Sequence, residues 1–546
     1  MCASTEVRDT ARWDTDVLVI GSGFGGSISA LRLAEKGYAV VVLEQGRRYA
    51  PQDFPRTNWG LRRYLWMPAL GMHGIQVLTP FRHALVLHGR GVGGGSLVYA
   101  NTLVRPEEEV LAGPEWGGED WSTRLAPHYD EALRILGGVP CPGLGRTDRV
   151  LQDVLRDMPG RPELRPHTVG VFFGEAGVEV PDPYFGGEGP PRTGCTRCGA
   201  CMIGCPVGAK NTLDRNYLWL AERLGARVVP ETEAVGIRPV EGGYEVVTRS
   251  SVRRLAWSGR GGKKRPKVWR ARKVVVSGGV VGTVKLLHAS RARGWLPELS
   301  PQLGRWVRTN SESLLAADAP PASGTWADHV AITSGAQVDA HTHIEMVRYN
   351  EGSDALFFLT APLGSGKRRG GGAALLATVL RHPWRTLRGF LPGGRAGRTG
   401  IVLAMQATEG HMSLEYRRRL RTLGRRTLVS RIPPGEPAPV PFIPVADEVA
   451  RRMAAAMGGQ AWGTWPDLLM GAPLTAHILG GCRMGSSPEE GVVDFNGEVF
   501  GYPGLYVVDG SIVPVNLGVN PSLTISALAE YLMARMPAAD TASSSS

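Results

Sequence analysis

The sequence is organised around a glycine-rich turn near its start, between two short apolar runs. The runs 17–20 and 39–43 predict buried parallel strands, and residues 27–36 between them predict a helix. Three glycines in the order G-x-G-x-x-G and one acid mark the turn and the end of the second run: Gly21, Gly23, Gly26 and Glu44. In such a unit the glycines permit a tight turn and close approach of a pyrophosphate, and the acid binds the ribose hydroxyls. The pattern predicts a dinucleotide-binding βαβ unit rather than an accidental turn, without identifying the dinucleotide.

Length, composition and charge limit the kinds of protein that this sequence can encode. The 546 residues, 43% of them hydrophobic, allow large cores and about two to four domains. Residues 1–15 are polar and lack the basic and apolar regions of a secretory signal, so we expect a cytoplasmic protein. The net charge of +12 fits arginines spread over solvated faces. Because no nucleic-acid-binding motif accompanies this charge, we expect no nucleic-acid partner.

A second glycine-rich segment, 89–95, lies between apolar runs at 84–87 and 97–100 that predict strands. Glycines remove the side chains from one surface of the backbone, which permits contact with a phosphate or a flat ring system. A flexible linker is the alternative, and the flanking strands disfavour it.

The later part of the chain predicts a further contribution to the parallel sheet and then a different architecture. Residues 213–224 predict a helix, and 274–287 repeat the order of strand, glycine turn and helix. Residues 311–467 predict mainly strands and loops. Within them, 373–391 is apolar and then basic, which fits an interfacial membrane anchor or a helix packed on its own domain. The tail 538–546 is expected to be disordered.

Four cysteines follow the bacterial ferredoxin spacing C-x2-C-x2-C-x3-C-P: Cys195, Cys198, Cys201 and Cys205. This spacing predicts a [4Fe–4S] or [3Fe–4S] cluster, with a zinc site or plain reduced thiols as alternatives. In two-cluster ferredoxins the fourth cysteine serves the other cluster, so Cys205 would have to turn back, or Cys141 or Cys482 would complete the set. A cluster would pass electrons singly to an external acceptor, which favours a dehydrogenase over a peroxide-producing oxidase.

Several motifs together resemble the glucose-methanol-choline (GMC) flavoprotein oxidoreductases. They are the opening βαβ unit, the loop 91–101, Thr-Ala-His-Ile-Leu-Gly-Gly at 475–481, Tyr-Val-Val-Asp-Gly at 506–510 and Gly-Val-Asn-Pro-Ser-Leu-Thr-Ile at 518–525. Within that family the chain resembles in particular the cholesterol oxidases, and among them the actinobacterial members without a signal peptide. The resemblance extends from residue 16 to about residue 535.

The resemblance implies FAD as the cofactor and a two-domain α/β fold, α+β overall. An FAD-binding domain with a Rossmann-like parallel sheet would comprise 14–47, 210–315 and 474–537. A substrate domain with a large antiparallel sheet would comprise 48–209 and 316–473, and would include the flavin-contacting loop 89–101 and the cysteines of 195–205.

The resemblance also implies roles for single residues. The ADP half of FAD would be held by Gly21, Gly23, Gly26 and Glu44. The pyrophosphate and flavin ring would lie beside Gly91, Gly94, Gly95, Ser96 and Asn101, and the flavin end of the cofactor would meet Asp509 and Gly510. His477 matches the histidine that contacts the substrate hydroxyl, and Asn520 matches the asparagine beside the flavin.

The implied activity is oxidation of a secondary alcohol on a sterol-like substrate, with hydride passing to flavin N5 and electrons then to O2 or a redox partner. Glu345 is similar to the glutamate that moves a proton during double-bond isomerisation in cholesterol oxidases, and as a buried base it would have a raised pKa. An exposed, structural Glu345 is the alternative. Two other functions stay open: oxidation of a non-sterol alcohol, and non-catalytic electron transfer or lipid binding.

Overall fold

A computed structural model describes residues 13–252, 266–363, 380, 383–384, 393–419, 424–440 and 442–539. The predicted anchor at 373–391 therefore lies almost entirely outside the described residues, as does most of the predicted disordered tail. Two tail residues are placed, and the backbone N–H of Ala539 donates to the carbonyl of Lys36. None of the described helices combines the length and the apolar character needed to cross a membrane.

The first large sheet, called the mixed sheet, has seven strands. Their spatial order is Arg227–Val229, Val40–Leu43, Thr15–Ile20, Lys267–Val276, Gly243–Ser250 and Thr232–Val240, with Leu505–Val507 also paired to Lys267–Val276. The strand Thr15–Ile20 pairs in parallel with both of its neighbours. The strand Lys267–Val276 is paired antiparallel with Gly243–Ser250 over its first half and parallel with Leu505–Val507 at its end. The predicted parallel sheet is thus present, with an antiparallel extension at one edge.

Helices cover the mixed sheet and close its core. Ser522–Arg535 packs against Phe24–Glu35 and Trp121–Ile135, and Gly279–Arg291 packs against the strand Thr232–Val240. The strand Thr15–Ile20 contributes Val17, Leu18 and Val19 to this core, all without solvent exposure. A strand buried on both faces needs such an uninterrupted apolar run, which is why the sequence predicted it correctly.

The second large sheet, called the antiparallel sheet, also has seven strands. Their order is Thr360–Pro362, Ala461–Thr464, Ser313–Asp318, Thr399–Gln406, Thr342–Val347, Ile332–Gln337 and Arg165–Pro166. All neighbouring strands run antiparallel. The chain thus combines a mixed sheet that contains parallel strands with a fully antiparallel sheet, which confirms the predicted fold class. The predicted domain boundary at residue 315 falls inside the strand Ser313–Asp318.

Alternation along the strands gives the antiparallel sheet two different faces. Ile344 and Met346 pack with the helix Pro444–Ala456 in one apolar cluster. On the other face, Val347 and Leu403 pack together and line the central cavity. A single strand therefore contributes to stability with one set of residues and to the cavity with the next.

The predicted strand at 97–100 is wrong. Residues Gly94–Leu97 form a 3-10 helix that follows a turn in which Gly91, Gly93 and Gly94 have positive φ. The remaining strands are Trp66–Met67, Met72–His73, Gln76–Pro80, Leu85–Gly89, Val139–Pro140, Thr168–Val169, Glu179–Val180, Arg192–Thr193, Ser413–Arg418, Arg426–Arg431 and Leu474–Thr475. Among the residues that the structure describes, the remaining α-helices are Leu61–Tyr64, Glu108–Leu111, Arg146–Arg156 and Tyr217–Arg223.

Candidate active site

The first glycine turn is packed directly against backbone on all sides but one. A Cβ on Gly21, whose φ is +101°, would lie 2.1 Å from the carbonyl oxygen of Ser277. A Cβ on Gly25 would lie 1.7 Å from the carbonyl oxygen of Val508, and one on Gly26 2.0 Å from that of Gly21. A Cβ on Gly23 would meet no protein atom within 4 Å, and Gly23 lines the central cavity. The turn therefore offers bare backbone to a ligand at Gly23.

The acid that ends the second strand is held by the turns beside it. The Glu44 carboxylate accepts hydrogen bonds from the hydroxyl of Ser22 at 2.7 Å, the backbone N–H of Ser22 at 3.1 Å and the N–H of Gly46 at 2.7 Å. The N–H of Gly91 lies 3.4 Å from the same carboxylate. Glu44 is nearly buried and lines the cavity. The two glycine-rich segments thus share this carboxylate.

The second glycine-rich loop divides into cavity-lining and supporting residues. Gly94 and Gly95 line the cavity, and a Cβ on Gly94 would lie 2.5 Å from Cα of Gly23, so the two glycine turns touch. Gly91 sits behind them, where a Cβ would meet the side chain of Leu97. Ser96 donates to the carbonyl of Gly93 and accepts from the N–H of Leu213, which fixes the loop.

Asn101 lies apart from the cavity. It is fully buried with a φ of +70°, next to the Cys201 thiol. The structure therefore brings the predicted cofactor residues together around one crevice, with Gly26, Gly91, Ser96 and Asn101 behind the lining rather than on it.

The crevice is the end of a cavity of about 1150 Å³ between the two sheets. This is above the range of about 300–1,000 Å³ that is usual for small-molecule sites. The wall supplied by the antiparallel sheet is apolar and includes Leu314, Ala316, Ile332, Val347, Ile401 and Leu403. A large cofactor and an apolar molecule can therefore occupy the same cavity side by side.

His477 lies in this cavity next to a carboxylate that the sequence did not indicate. Its Nδ1 atom is 3.2 Å from Oε2 of Glu312, a residue with only 1% of its side chain exposed. The same oxygen accepts hydrogen bonds from the hydroxyl of Thr475 at 2.8 Å and the N–H of Ala476 at 2.9 Å. Burial lowers the pKa of His477, but the Glu312 carboxylate outweighs it, so the pKa is raised above its ordinary value. Nδ1 is the ring nitrogen beside Glu312, which leaves Nε2 for a ligand.

Asn520 also lines the cavity and connects it to Glu345. The Asn520 Nδ2 group donates to Oε2 of Glu345 at 3.1 Å. Glu345 has no exposed surface and is not among the residues that line the cavity. The alternative of an exposed Glu345 is therefore wrong.

Two histidines surround the other oxygen of Glu345. The Nε2 atoms of His167 and His343 lie 3.2 Å and 3.5 Å from Glu345 Oε1, and 3.4 Å from each other. Burial raises the pKa of Glu345, but the two imidazoles lower it more, and the net shift is downward. The predicted raised pKa is wrong, because the sequence did not reveal that two histidines lie beside this carboxylate.

Asp509 and the last helix complete the cofactor end of the cavity. The Asp509 carboxylate accepts from the N–H of Ser511 at 2.8 Å and from the hydroxyl of Thr283 at 2.5 Å, and Asp509 and Gly510 line the cavity. Pro521 and Ser522, at the start of the helix Ser522–Arg535, line it as well. The N–H groups of a first helical turn and the helix dipole favour a negative charge placed there.

The four cysteines of the ferredoxin-like run lie in one loop region, with Cys201 and Cys205 buried and Cys195 and Cys198 partly buried. Backbone N–H groups of Arg197 and Ala331 point at the sulfurs of Cys195 and Cys201, each at 3.4 Å. Burial is the main cause that raises the pKa of Cys195 to about 12 and that of Cys201 to about 11.

The distances between the sulfurs of these cysteines test the zinc alternative. Among the residues that the structure describes, no three of these sulfurs come within 4.8 Å of one another, which does not match a zinc site with Zn–S bonds of about 2.3 Å. Cys141 packs in the same small cluster as Cys201 and Cys205, whereas Cys482 hydrogen-bonds through its backbone to Ser511 in another part of the fold.

Sequence reasoning missed Glu312 and His167. Glu312 lies between two serines just before a strand, and His167 follows a two-residue edge strand, and neither stands in a recognisable motif. Only the three-dimensional pairing of distant segments brings them to His477 and Glu345.

Comparison with known proteins agrees with this geometry. The family model of the FAD binding domain matches residues 16–50, and the two models of the GMC oxidoreductase family match 191–297 and 464–529. The chain is 46% identical over 540 residues to a cholesterol oxidase of Mycobacterium tuberculosis, covering 96% of this chain and 91% of that protein. A cholesterol oxidase of Acinetobacter baumannii is 41% identical over 543 residues, covering 97% and 95%.

More distant matches are a sequence relative and a solved structure. A long-chain-alcohol oxidase of Arabidopsis thaliana is 25% identical over 555 residues, covering 95% of this chain and 67% of that protein. The crystal structure of pyridoxine 4-oxidase from Mesorbium loti superposes with a TM-score of 0.57 at 14% identity, covering 96% of this chain and 99% of the other, a likeness of fold alone. The chain belongs to the GMC oxidoreductase family and is an FAD-dependent alcohol oxidoreductase.

Proposed function

We propose that this protein oxidises the secondary hydroxyl of a sterol-like substrate, with His477 as the group that takes the hydroxyl proton. The observation that carries the proposal is the position of His477: it lines the same cavity as the glycine turns and is backed by the buried Glu312. The cholesterol oxidases at 41% and 46% identity support the substrate class.

The residues fit FAD. Gly23 presents bare backbone, Glu44 lines the cavity at the end of the second strand, where such units bind the ribose, and the start of the helix Ser522–Arg535 lines the same cavity. Bound FAD would supply the acceptor for the hydride that leaves the carbinol carbon. The residues of the chain have to orient the alcohol, exclude water and remove its proton.

Proton removal requires a neutral imidazole nitrogen facing the alcohol. With Nδ1 beside Glu312, Nε2 of His477 accepts the hydroxyl proton, and the resulting imidazolium is stabilised by the Glu312 carboxylate. The raised pKa of His477 makes its neutral form a stronger base. It also means that His477 stays protonated, and unable to accept a proton, up to a higher pH. Asn520 supplies a further polar side chain to the cavity, oriented by its hydrogen bond to Glu345.

The shape and chemistry of the cavity support an apolar substrate. The wall from the antiparallel sheet is lined by aliphatic side chains, and the polar groups lie at the cofactor end. A large apolar body with one hydroxyl would bury its body against this wall and direct the hydroxyl toward His477. The second candidate is a long-chain alcohol, which the Arabidopsis relative favours at 25% identity.

Anaerobic stopped-flow reduction of the bound flavin tests the proposal. Purified holoprotein is mixed with cholesterol, a second 3β-hydroxysteroid or a long-chain primary alcohol, and flavin absorbance is followed. We expect reduction by the sterols, slowed by about 10²- to 10⁴-fold in His477→Ala. His288→Ala removes another buried histidine, whose Nε2 lies 3.1 Å from the Leu414 carbonyl, and is expected to keep the rate.

Each outcome separates the functions that remain. Faster reduction by the long-chain alcohol would favour the non-sterol alternative. Absence of reduction by every alcohol in this set would exclude both the sterol and the long-chain-alcohol proposals. An unchanged rate in His477→Ala, with reduction otherwise normal, would remove His477 from the proton-transfer step.

Isomerisation of the double bond through Glu345 stays a prediction. The position of Glu345 behind Asn520 and its lowered pKa disfavour a base that reaches the substrate directly. If Glu345 is that base, Glu345→Gln makes a 5-en-3-one accumulate in chromatographic product analysis. Unchanged 4-en-3-one formation would exclude the role.

The iron–sulfur cluster also stays a prediction, and with it the choice between O2 and a redox partner as acceptor. The spacing of the cysteines and the N–H groups directed at two sulfurs support it. The cavity lined by the four cysteines has a volume of only about 10 Å³, so a cubane would require its lining side chains to rearrange. Iron and acid-labile sulfide assays on anaerobically purified protein, with EPR after dithionite, test it.

Peripheral membrane contact and a cytoplasmic location are further predictions that depend on 373–391 and on the N-terminal segment. Flotation of the full chain with anionic phospholipid vesicles tests the first. Co-flotation that is lost when 373–391 is replaced by a Gly/Ser linker would support an interfacial anchor, and no co-flotation would exclude it.

A further inference from the structure

The strongest unassigned feature is the cluster of His167, His343 and Glu345 at the antiparallel sheet. Two imidazole nitrogens and one carboxylate oxygen converge there, with separations of 3.2, 3.4 and 3.5 Å. All three side chains are buried. Among the described residues this is the one group of histidine, cysteine or acidic side chains whose ligand atoms lie this close together.

The strands explain why the three side chains meet. His343 and Glu345 are two positions apart on the strand Thr342–Val347, so they point to the same face of the sheet. His167 follows the edge strand Arg165–Pro166, which pairs with Ile332–Gln337. Between them stands Gly335, the register partner of Glu345, on which a Cβ would lie 2.4 Å and 2.6 Å from the Nε2 atoms of His167 and His343. A glycine there is what allows both imidazoles to converge above the sheet.

The separations match those of ligands around a small metal ion. With metal–ligand bonds of about 2.1 Å, they correspond to ligand–metal–ligand angles of about 100° to about 113°, close to tetrahedral. An octahedral facial arrangement, as in two-histidine, one-carboxylate iron sites, would require separations of about 3.0 Å. Two nitrogens, one carboxylate oxygen and near-tetrahedral spacing are the ligand set of a zinc site with an open fourth position.

Hydrogen bonding alone leaves the cluster incomplete. Oε1 of Glu345 is buried and receives no hydrogen bond of proper geometry, although both Nε2 atoms are near. The two Nε2 atoms face each other at 3.4 Å, and each neutral imidazole has only one N–H to donate. A buried acceptor without a donor is costly, and a cation in contact with all three lone pairs would remove that cost.

We propose that His167, His343 and Glu345 bind a divalent transition-metal ion, with zinc preferred. Glu345 would bind the ion through Oε1 while Oε2 accepts the hydrogen bond from Asn520. The ion would then hold Glu345, and Glu345 would hold Asn520 in position at the cavity. His167 and His343 are positioning residues in this scheme, because they act on the cavity only through Glu345 and Asn520.

Metal binding by purified holoprotein tests the proposal independently of alcohol oxidation. The protein is dialysed against a chelator and titrated with ZnCl₂ against a competing indicator, and total zinc and iron are measured by mass spectrometry. We expect about one zinc ion per chain in the native protein, and binding at least about tenfold weaker in His167→Asn and in His343→Gln. Flavin content and circular dichroism report whether each variant has folded.

Two controls separate this cluster from other metal-binding groups. His288→Asn removes a buried histidine in another part of the fold and is expected to keep the full affinity. Cys198→Ser alters the cysteine run and is expected to keep the histidine-dependent zinc. Equal zinc binding in the native protein and His167→Asn would overturn the proposal, as would absence of zinc binding in the native protein.

Cobalt keeps the proposal testable if the histidine variants fail to fold. Native holoprotein loaded with CoCl₂ is expected to show four-coordinate visible bands at wavelengths above the flavin absorption, and X-ray absorption with only nitrogen and oxygen ligands. Sulfur ligands would place the ion at the cysteines and contradict the assignment. Histidines and carboxylate that form only a metal-free hydrogen-bonded network would give no such spectrum.

Discussion

The glycine cradle at the mixed sheet, formed by Gly21, Gly23, Gly25 and Gly26, is built from backbone, whereas the His167–His343–Glu345 cluster at the antiparallel sheet is built from side chains. At the cradle, Cβ atoms on Gly21, Gly25 and Gly26 would meet carbonyl oxygens that cannot move without moving strands. At the cluster, a Cβ on Gly335 would meet the ends of two imidazoles. A site built from backbone therefore requires glycines, which have no side chain. A site built from side chains requires strand positions that point to the same face of a sheet.

The largest expected effect is at the cradle, where Gly25→Ala and Gly23→Ala differ sharply. Gly25→Ala would place a Cβ 1.7 Å from the Val508 carbonyl oxygen, so we expect misfolded or insoluble protein. Gly23→Ala meets no protein atom within 4 Å, so the fold should survive and only FAD affinity should fall. Flavin content and circular dichroism of the two purified variants distinguish these outcomes.

A result in which Gly23→Ala retains full flavin and Gly25→Ala also folds would break the comparison. It would mean that the backbone around the crevice shifts to make room for an added methyl group, as side chains can. Gly397→Ala, at a glycine without positive φ where a Cβ would first meet the side chain of Glu351 at 3.2 Å and which does not line the cavity, controls for the loss of a glycine alone.

The next effect concerns Glu312, the carboxylate 3.2 Å from Nδ1 of His477. Glu312→Gln removes the negative charge that raises the pKa of His477, while burial still lowers it. We expect the pKa of His477 to fall below its ordinary value, because burial is the largest influence on it and the Glu345 carboxylate alone then opposes burial. The neutral, proton-accepting form then persists to lower pH, so the rise of flavin reduction with pH moves to lower pH. Its maximal rate falls by part of the about 10²- to 10⁴-fold that a general base contributes.

The pH profile of anaerobic flavin reduction by cholesterol measures this shift. Glu436→Gln is a suitable control, because Glu436 lies 3.4 Å from another histidine, His411, that does not line the cavity. A midpoint that stays in place in Glu312→Gln, or moves to higher pH, would show that Glu312 does not set the protonation of His477.

The difference between the two sites also explains what the sequence could predict. The βαβ unit was predicted correctly because its signals are local: strand, glycines, helix and acid follow one another within 17–44. His477 and Asn520 came from the resemblance to a family, and both line the cavity. The strand at 97–100 was predicted wrongly because the preceding glycines take positive φ and turn the chain into a 3-10 helix.

The surroundings of Glu345 could not be predicted in the same way. His167 reaches Glu345 only because a two-residue edge strand pairs with Ile332–Gln337, and no local pattern specifies that pairing. Glu312 lacks a motif as well and reaches His477 through the hydrogen bonds of Thr475 and Ala476. A single carboxylate in a sequence thus gives no information on the sign of its pKa shift until its neighbours are known.

A smaller effect is expected at the centre of the side-chain site. Gly335→Ala would push the imidazoles of His167 and His343 apart, and we expect a loss of about 1–3 kcal/mol in the free energy of unfolding. The fold should persist, because the atoms met are the ends of side chains. Zinc binding by the cluster should be lost with it. Thermal denaturation and zinc titration of the holoprotein measure both quantities.

Gly463→Ala is the matched control in the same sheet. A Cβ there would lie 3.2 Å from Cδ1 of Leu363, a side chain that can shift by a few tenths of an ångström. We expect a smaller change in stability and unchanged zinc binding. Equal losses in the two variants would show that Gly335 is no more constrained than an ordinary glycine of the antiparallel sheet.

The smallest effect is expected one residue away from the cluster, on the opposite face of the same strand. Ile344 is fully buried in the apolar core that also contains residues of the helix Pro444–Ala456. Ile344→Val should therefore lower the free energy of unfolding by about 0.5–1.5 kcal/mol. Its side chain points away from the cavity, so flavin reduction by cholesterol and zinc binding should stay unchanged. Val347→Ala, which removes methyl groups from the cavity face, should instead weaken substrate binding. If Ile344→Val also lowers flavin reduction or zinc affinity, the two faces of the strand are mechanically coupled, and the separation of stability from chemistry by strand alternation fails.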